Sequence, residues 1–316
     1  MKLPELRIGR LVARIPVIQG GMAVRISTAR LAAAVAAEGG IGLIAASGMT
    51  LDELRHEIRL ARSLTTGVIG INAMVAARQF ASLVKTAIDE GIDLIVAGAG
   101  FSRDMFGLGK ESGTPIVPIV SSAKLAKISE ALGASAVIVE GKEAGGHLGT
   151  DRTMHEILPE VRKAVDIPII GAGGVISGRD IVEVLKLGGN GVQMGTRFAA
   201  SEESNAAPSL KEFYLKAKPE DVVLIKSPVG LPGRAVKNPF AEKIIEGTVD
   251  APDSCDACLK HCEQNFCIIK ALVRAQQGDV ETGLVFTGEY IHKIDDILPV
   301  KDIFARLLKE ADEINS

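Results

Sequence analysis

The chain has 316 residues, 47% apolar and 24% charged, with 34 glycines and a formal net charge of −3. That balance suits a globular α/β enzyme, excludes disorder over most of the length and offers no basic surface for nucleic acid. The longest apolar stretch, residues 31–47, is broken by Glu38 and by glycines, and residues 1–14 mix charges of both signs, so neither a membrane span nor a signal peptide is expected, and a cytoplasmic location is.

Short β-branched runs alternate with amphipathic runs through the first two hundred residues. Strands are predicted over residues 15–19, 42–46, 68–72, 94–97, 116–120, 136–140, 167–171 and 191–195. Helices are predicted over 29–38, 51–62, 79–90, 123–132, 155–164 and 179–187. Ser27 or Thr28 can cap the first helix, and Thr50 with Glu53 makes a capping box on the second. Eight strand–helix units predict a closed (β/α)8 TIM barrel over residues 1–200. An open dinucleotide-binding sheet is the weaker reading, because Gly171-Ala172-Gly173 does not continue as G-x-G-x-x-G. After Arg197 the rhythm breaks. A helix is predicted over 202–218, a proline-rich loop over 228–239 and a last helix over 300–313. Residues 201–316 are read as a C-terminal cap over the barrel mouth.

Chemistry in such barrels sits at the C-terminal ends of the strands. The sixth strand ends at Glu140 and runs into Glu143-Ala144-Gly145-Gly146-His147, a glycine-dense loop that presents an imidazole. His147 is the candidate acid/base residue. The turns after strands seven and eight, Gly173-Gly174 and Gly195-Thr196, are placed to bind a phosphate through backbone N–H groups; otherwise they are ordinary tight turns. Gln19 and Asn72 close strands one and three, where an amide can bond the edge of a planar heterocycle.

Together, Pro16-Val17-Ile18-Gln19-Gly20-Gly21-Met22, the histidine loop, Gly171-Ala172-Gly173-Gly174 and Gln193-Met194-Gly195-Thr196-Arg197-Phe198 resemble the nitronate monooxygenase (2-nitropropane dioxygenase) family. That group also includes FMN-dependent enoyl-ACP reductase II enzymes. Val139-Glu140-Gly141 and Glu203-Ser204-Asn205-Ala206 are closer to the reductase branch, and Gly233-Arg234-Ala235 matches a post-barrel G-R-x motif. The resemblance implies FMN at the mouth, with Gly21, Met22 and Asn72 toward the ring. It places the phosphate on Gly173, Gly174, Gly195 and Thr196. Glu140, Gly145, Gly146 and Lys124 are the remaining cofactor candidates. The cap carries Gly288-Glu289-Tyr290 where the family has a G-Q-S turn, which makes Tyr290 a substrate-pocket candidate.

The implied activity is oxidation of alkyl nitronates. The alternative is NAD(P)H- or ferredoxin-dependent reduction of an enoyl thioester, with acyl carrier protein as a partner. A non-catalytic flavin- or metal-binding protein is a third reading, and a homodimer is compatible with the sequence, which does not fix the oligomeric state.

All four cysteines fall within Cys255, Cys258, Cys262 and Cys267, a C-x2-C-x3-C-x4-C spacing. The spacing suits a [4Fe–4S] cluster or, alternatively, Zn2+. The bland alternative is a stripe of core thiols along one helix face, because 255, 258 and 262 share a helical period.

Overall fold

The computed structural model describes residues 3–252 and 254–314. Eight parallel strands close a barrel: β1 (Val17–Gln19), β2 (Ile41–Ala45), β3 (Val68–Met74), β4 (Leu94–Gly98), β5 (Ile116–Val120), β6 (Val137–Glu140), β7 (Ile169–Ala172) and β8 (Gly191–Met194). They pair in chain order, and β8 returns to β1 with Met194 beside Gln19. Both faces of each strand are covered, which is why the strands read as nearly continuous apolar runs. One face fills the barrel with Ile18, Leu43, Leu94, Val96, Val117, Ile138 and Ile170.

The first fourteen residues, read only as mixed in charge, contain a hairpin of Leu6–Ile8 on Leu11–Ala13. Leu6 and Ile8 are fully buried and join the cluster inside the barrel. Leu6 lies near Gly191, at the start of β8, so the hairpin plugs the end opposite the mouth.

The helices between strands are α1 (Ala29–Ala37), α2 (Leu51–Leu64), α3 (Phe80–Asp89), α4 (Asp104–Ser112), α5 (Ala123–Ala131), α6 (Met154–Arg162), α7 (Gly178–Lys186) and the single turn α8 (Thr196–Ala199). The capping box at Thr50 and Glu53 forms, with both reciprocal bonds present. Thr28 holds the N-cap position of α1 but makes no side-chain bond there; Glu57 Oε2 accepts from Ala29 N–H instead, at 2.6 Å. Helix α4 was not predicted. Gly107 and Gly109 dilute its helical signal, and Gly109 is required because Ile116 leaves no room for a Cβ.

Beyond the barrel lie α9 (Pro208–Lys216), α10 (Pro239–Glu246), α11 (Ile268–Gln276) and α12 (Val300–Ile314). The predicted 202–218 helix begins only at Pro208, whose ring suits the first helical turn. The loop predicted over 228–239 contains a strand, Pro232–Val236, between Val222–Lys226 and the short strand Gly146–His147. Proline is tolerated there because it opens the strand.

Helix α12 does not cover the mouth. Gly178 at the head of α7 donates to Glu310 Oε2 at 2.7 Å, and a Cβ there would stand 2.1 Å from Leu307 O. Phe304 packs on Phe198, ring centroids 5.9 Å apart. Residues 300–314 thus lie against the barrel wall beside α7 and α1, where α8 is too short to reach.

Candidate active site

His147 sits in a loop held from both sides by backbone pairing. His147 lies opposite Gly233 and Gly146 opposite Arg234, while Leu148 N–H donates to Pro232 O at 2.9 Å. The G-R-x motif is therefore a clamp on the histidine loop. Arg234 is buried, donates to Lys142 O at 2.6 Å and lies 3.4 Å from the Glu289 carboxylate. His147 Nε2 is 2.8 Å from Ser227 Oγ, and its ring meets Phe286 edge-on at 5.3 Å. Burial pulls the imidazole down to about 4, so it is neutral across the physiological range.

The loop forms one wall of a cavity of about 240 Å³ at the C-terminal ends of the strands. Of the predicted residues, Gly21, Met22, Asn72, Glu140, Gly145, Gly146, His147, Gly173, Gly174, Gly195, Thr196 and Tyr290 all line it. Gly21 faces Asn72 so closely that a Cβ would stand 2.2 Å from the Asn72 Cβ. Ser27 fixes the turn before it, accepting from Met22 N–H at 2.9 Å and donating to Gly20 O at 3.2 Å.

Two predicted positions behave differently. Gln19 is fully buried and spends its amide internally, on Ser27 Oγ at 2.9 Å and Leu43 N–H at 3.1 Å. Lys124 is exposed near the start of α5 and is not among the cavity residues. Besides Asn72, the amide that lines the cavity is Gln193 of β8, whose buried Oε1 has no partner among the described residues. Strand alternation could have singled out Gln193, since Val192 packs outward. Ser227 carried no signal, being 80 residues from the histidine it touches.

The two glycine turns meet at the other end of the cavity. Gly174 has φ +76°, and Tyr290 lies across it, with Cε2 2.8 Å from where a Cβ would stand. A Cβ on Gly195 would meet nothing within 4 Å, which leaves that turn open. Thr196 Oγ1 accepts from Gly288 N–H at 2.9 Å and keeps its own proton to donate. Glu289 N–H donates to Glu143 O at 3.0 Å. The Gly288-Glu289-Tyr290 strap thus clips the histidine loop to the last turn of the barrel. Arg197 of the same motif is structural, buried against Asp296 at 2.7 Å.

Glu140 closes β6 at the cavity wall with no hydrogen-bond donor among the described residues, and burial pushes its carboxyl up to about 8. The folded state therefore holds this proton more tightly than the unfolded state. Its stabilising effect is full below the ordinary value of 4.5 and is lost as pH rises through about 8. His147 acts oppositely, its contribution being lost as pH falls from 6.5 toward about 4. Melting temperatures of the flavin-free protein are expected to stay nearly level up to pH 6.5, where the two groups oppose each other, and to drop from there to about pH 8, and Glu140→Gln should flatten that arm. Parallel curves for the two proteins would remove Glu140 as the cause.

None of the cysteines lines this cavity. All four are free; Cys255 is exposed and the others are half-buried. The predicted helical stripe is absent, because α11 begins only after Cys267 and the segment before it is irregular. The four instead line one small cavity. Burial first, and then the nearness of Cys267, Cys262 and Cys255, pushes the Cys258 thiol up. Among the described residues no three His, Cys, Asp or Glu side chains are grouped to hold a metal ion. No helix among the described residues is long and apolar enough to cross a membrane.

Comparison with known proteins agrees with this architecture. The chain superimposes on the structure of FabK from Thermotoga maritima with a TM-score of 0.86 and 38% identity, over 95% of this chain and 94% of that one. Nitroalkane oxidase from Streptomyces ansochromogenes gives 0.79 and 27%, over 95% and 96%. A curated relative from Mycobacterium tuberculosis, "(3aS,4S,5R,7aS)-5-hydroxy-7a-methyl-1-oxo-octahydro-1H-indene-4-carboxyl-CoA dehydrogenase", is 35% identical over 74% of this chain. That match spans 66% of the relative's own length. The nitronate monooxygenase family profile matches residues 6–90 and 74–310. With the histidine loop, the two glycine turns and the closed barrel in place, the chain belongs to the nitronate monooxygenase family.

Proposed function

We propose that the chain binds FMN at the barrel mouth and reduces the C=C bond of an enoyl thioester, with NAD(P)H as electron donor. The cavity residues fit FMN. Gln193 Oε1 is buried without a partner and can accept a ring N–H. Gly21 and Asn72 leave a flat edge, and Gly195 leaves open space beside the Thr196 hydroxyl for a phosphate. Bound FMN supplies the hydride exchange.

The chain's residues do the rest. Ile268, Ile269 and Leu272 of α11, with Phe286, make an apolar wall over the mouth that shields an acyl chain from water. His147, fixed by Ser227 and by the clamp at Gly233, delivers hydrogen-bonding and proton transfer at the thioester. A neutral imidazole is suited to polarising a carbonyl, because charge develops on the oxygen and not on the ring. Glu140, protonated up to about pH 8, keeps a proton in the same cavity. The net reaction consumes NAD(P)H and one proton and yields the saturated thioester. The observation that carries this reading is the apolar wall above His147; the likeness to an enzyme named for a carboxyl-CoA substrate supports it.

One observation favours a second reading, nitronate oxidation. A neutral His147 has a ring nitrogen lone pair free to accept a proton, and a nitroalkane oxidase is 27% identical. Steady-state assays separate the two. NAD(P)H oxidation with a medium-chain 2-enoyl thioester is expected to exceed nitronate-dependent oxygen uptake at least tenfold in kcat/KM. The reverse ratio would assign the site to nitronates.

A further inference from the structure

The cysteine cavity adjoins the flavin cavity, with Ile268 lining both, and is unused by the reaction above. Cys255, Cys258, Cys262 and Cys267 all line it. Around a single tetrahedral Zn2+, with Zn–S near 2.3 Å, four sulfurs would converge to roughly 4 Å of one another. No three ligands are grouped in that way among the described residues. In a cubane, each thiolate sits on a different iron, and the body of the cluster separates the sulfurs. The four thiols line one common cavity, the arrangement a cluster needs to take one thiolate on each of four irons.

Plain packing does not explain them. The segment has no helix on which a stripe could form, and Cys255 is exposed, where a core thiol has no purpose. Ala257 N–H donates to Cys255 Sγ at 3.4 Å, the kind of backbone bond that stabilises negative charge on a ligating sulfur.

The position of the loop gives such a cluster a task. Between the second and third cysteines, Lys260 N–H donates to Ala76 O at 2.9 Å. Arg78 N–H returns a bond to Cys258 O at 3.0 Å, and Arg78 Nε donates to Leu259 O at 2.9 Å. This holds the loop on the segment after β3, at the barrel mouth. The fourth cysteine is the N-cap of α11, whose next residue, Ile268, lines the flavin cavity. We infer that the four cysteines ligate one [4Fe–4S] cluster, which fastens the head of α11 to the barrel rim and so sets the apolar wall of the active site.

This inference is independent of which substrate the flavin serves. The test is metal and sulfide analysis of anaerobically purified full-length protein, with reconstitution by ferrous iron and sulfide where iron is low. About four irons and four sulfides per chain are expected, with broad visible absorption beyond the flavin bands. Cys258→Ser and Cys262→Ser should each lose them and expose residues 254–267 to limited proteolysis while FMN remains bound. Because either variant could misfold, bleaching the cluster in the wild type with an oxidant and chelator provides the same readout without mutation: faster cleavage in that segment, with flavin absorbance retained. One zinc per chain without sulfide, a disulfide, or four freely reactive thiols in protein that refuses iron would each overturn the assignment.

Discussion

Replacing His147 by alanine is expected to leave the barrel folded and the flavin bound while lowering kcat about 10²–10⁴-fold, the range set by loss of a general acid–base group. The fold should survive because the loop is held by main-chain pairing to Gly233 and Arg234, and by Leu148 on Pro232, none of which uses the imidazole. The ring does contact Phe286 and Ser227, so a modest loss of thermal stability accompanies the change. Ser227→Ala removes the 2.8 Å partner, and with it the acceptor of Val229 N–H at 3.3 Å, and should cost about fivefold, mainly in kcat, in line with one net hydrogen bond of about 1 kcal/mol. Turnover of His147→Ala within a few-fold of wild type, with flavin content equal, would remove the imidazole from the mechanism.

The second large effect is expected at the phosphate end. Gly174→Val forces a β-branched residue to φ +76° and drives a Cβ to within 2.8 Å of the Tyr290 ring. Flavin occupancy should fall to near zero while circular dichroism still reports the barrel. Gly133 provides the control. It has φ +96° but meets nothing within 4 Å, so Gly133→Val imposes backbone strain without touching the cavity. That variant should melt earlier yet keep its flavin. Full flavin content in Gly174→Val would move the phosphate elsewhere.

Most of the barrel was legible because a strand buried on both faces has to be a short β-branched run, and β2 and β7 are buried at every position. Helix stops were equally plain, as at Gly133, which follows α5. The elements that escaped lack a local signal. Glycines inside α4 dilute a helical pattern that tertiary contact with Ile116 makes necessary. The strand at Pro232–Val236 is made by its pairing with Val222–Lys226 and with the histidine loop, not by a local pattern. Helix α12 reads as a cap element in order along the chain, yet packs on the wall because α8 leaves that position uncovered.

The site divided in the same way. Its glycines and His147 were visible because their chemistry is carried by residue type at strand ends. Gln19 and Gln193 were not separable by type, since each lies at or next to the end of a barrel strand. Strand alternation points Gln193 inward, but the fold is needed to show that Ser27 and Leu43 consume the amide of Gln19. Ser227 and the apolar wall of α11 come from cap residues distant in sequence and had no pattern to reveal them.

The most direct test of the account is anaerobic stopped-flow spectroscopy of the bound flavin, followed through one reductive and one oxidative half-reaction. The account predicts rapid bleaching by NADH or NADPH and then rapid return of the yellow absorbance on mixing with a 2-enoyl thioester, the second phase slowed by His147→Ala. A flavin that is inert to both nicotinamides but reduced quickly by an alkyl nitronate would contradict it.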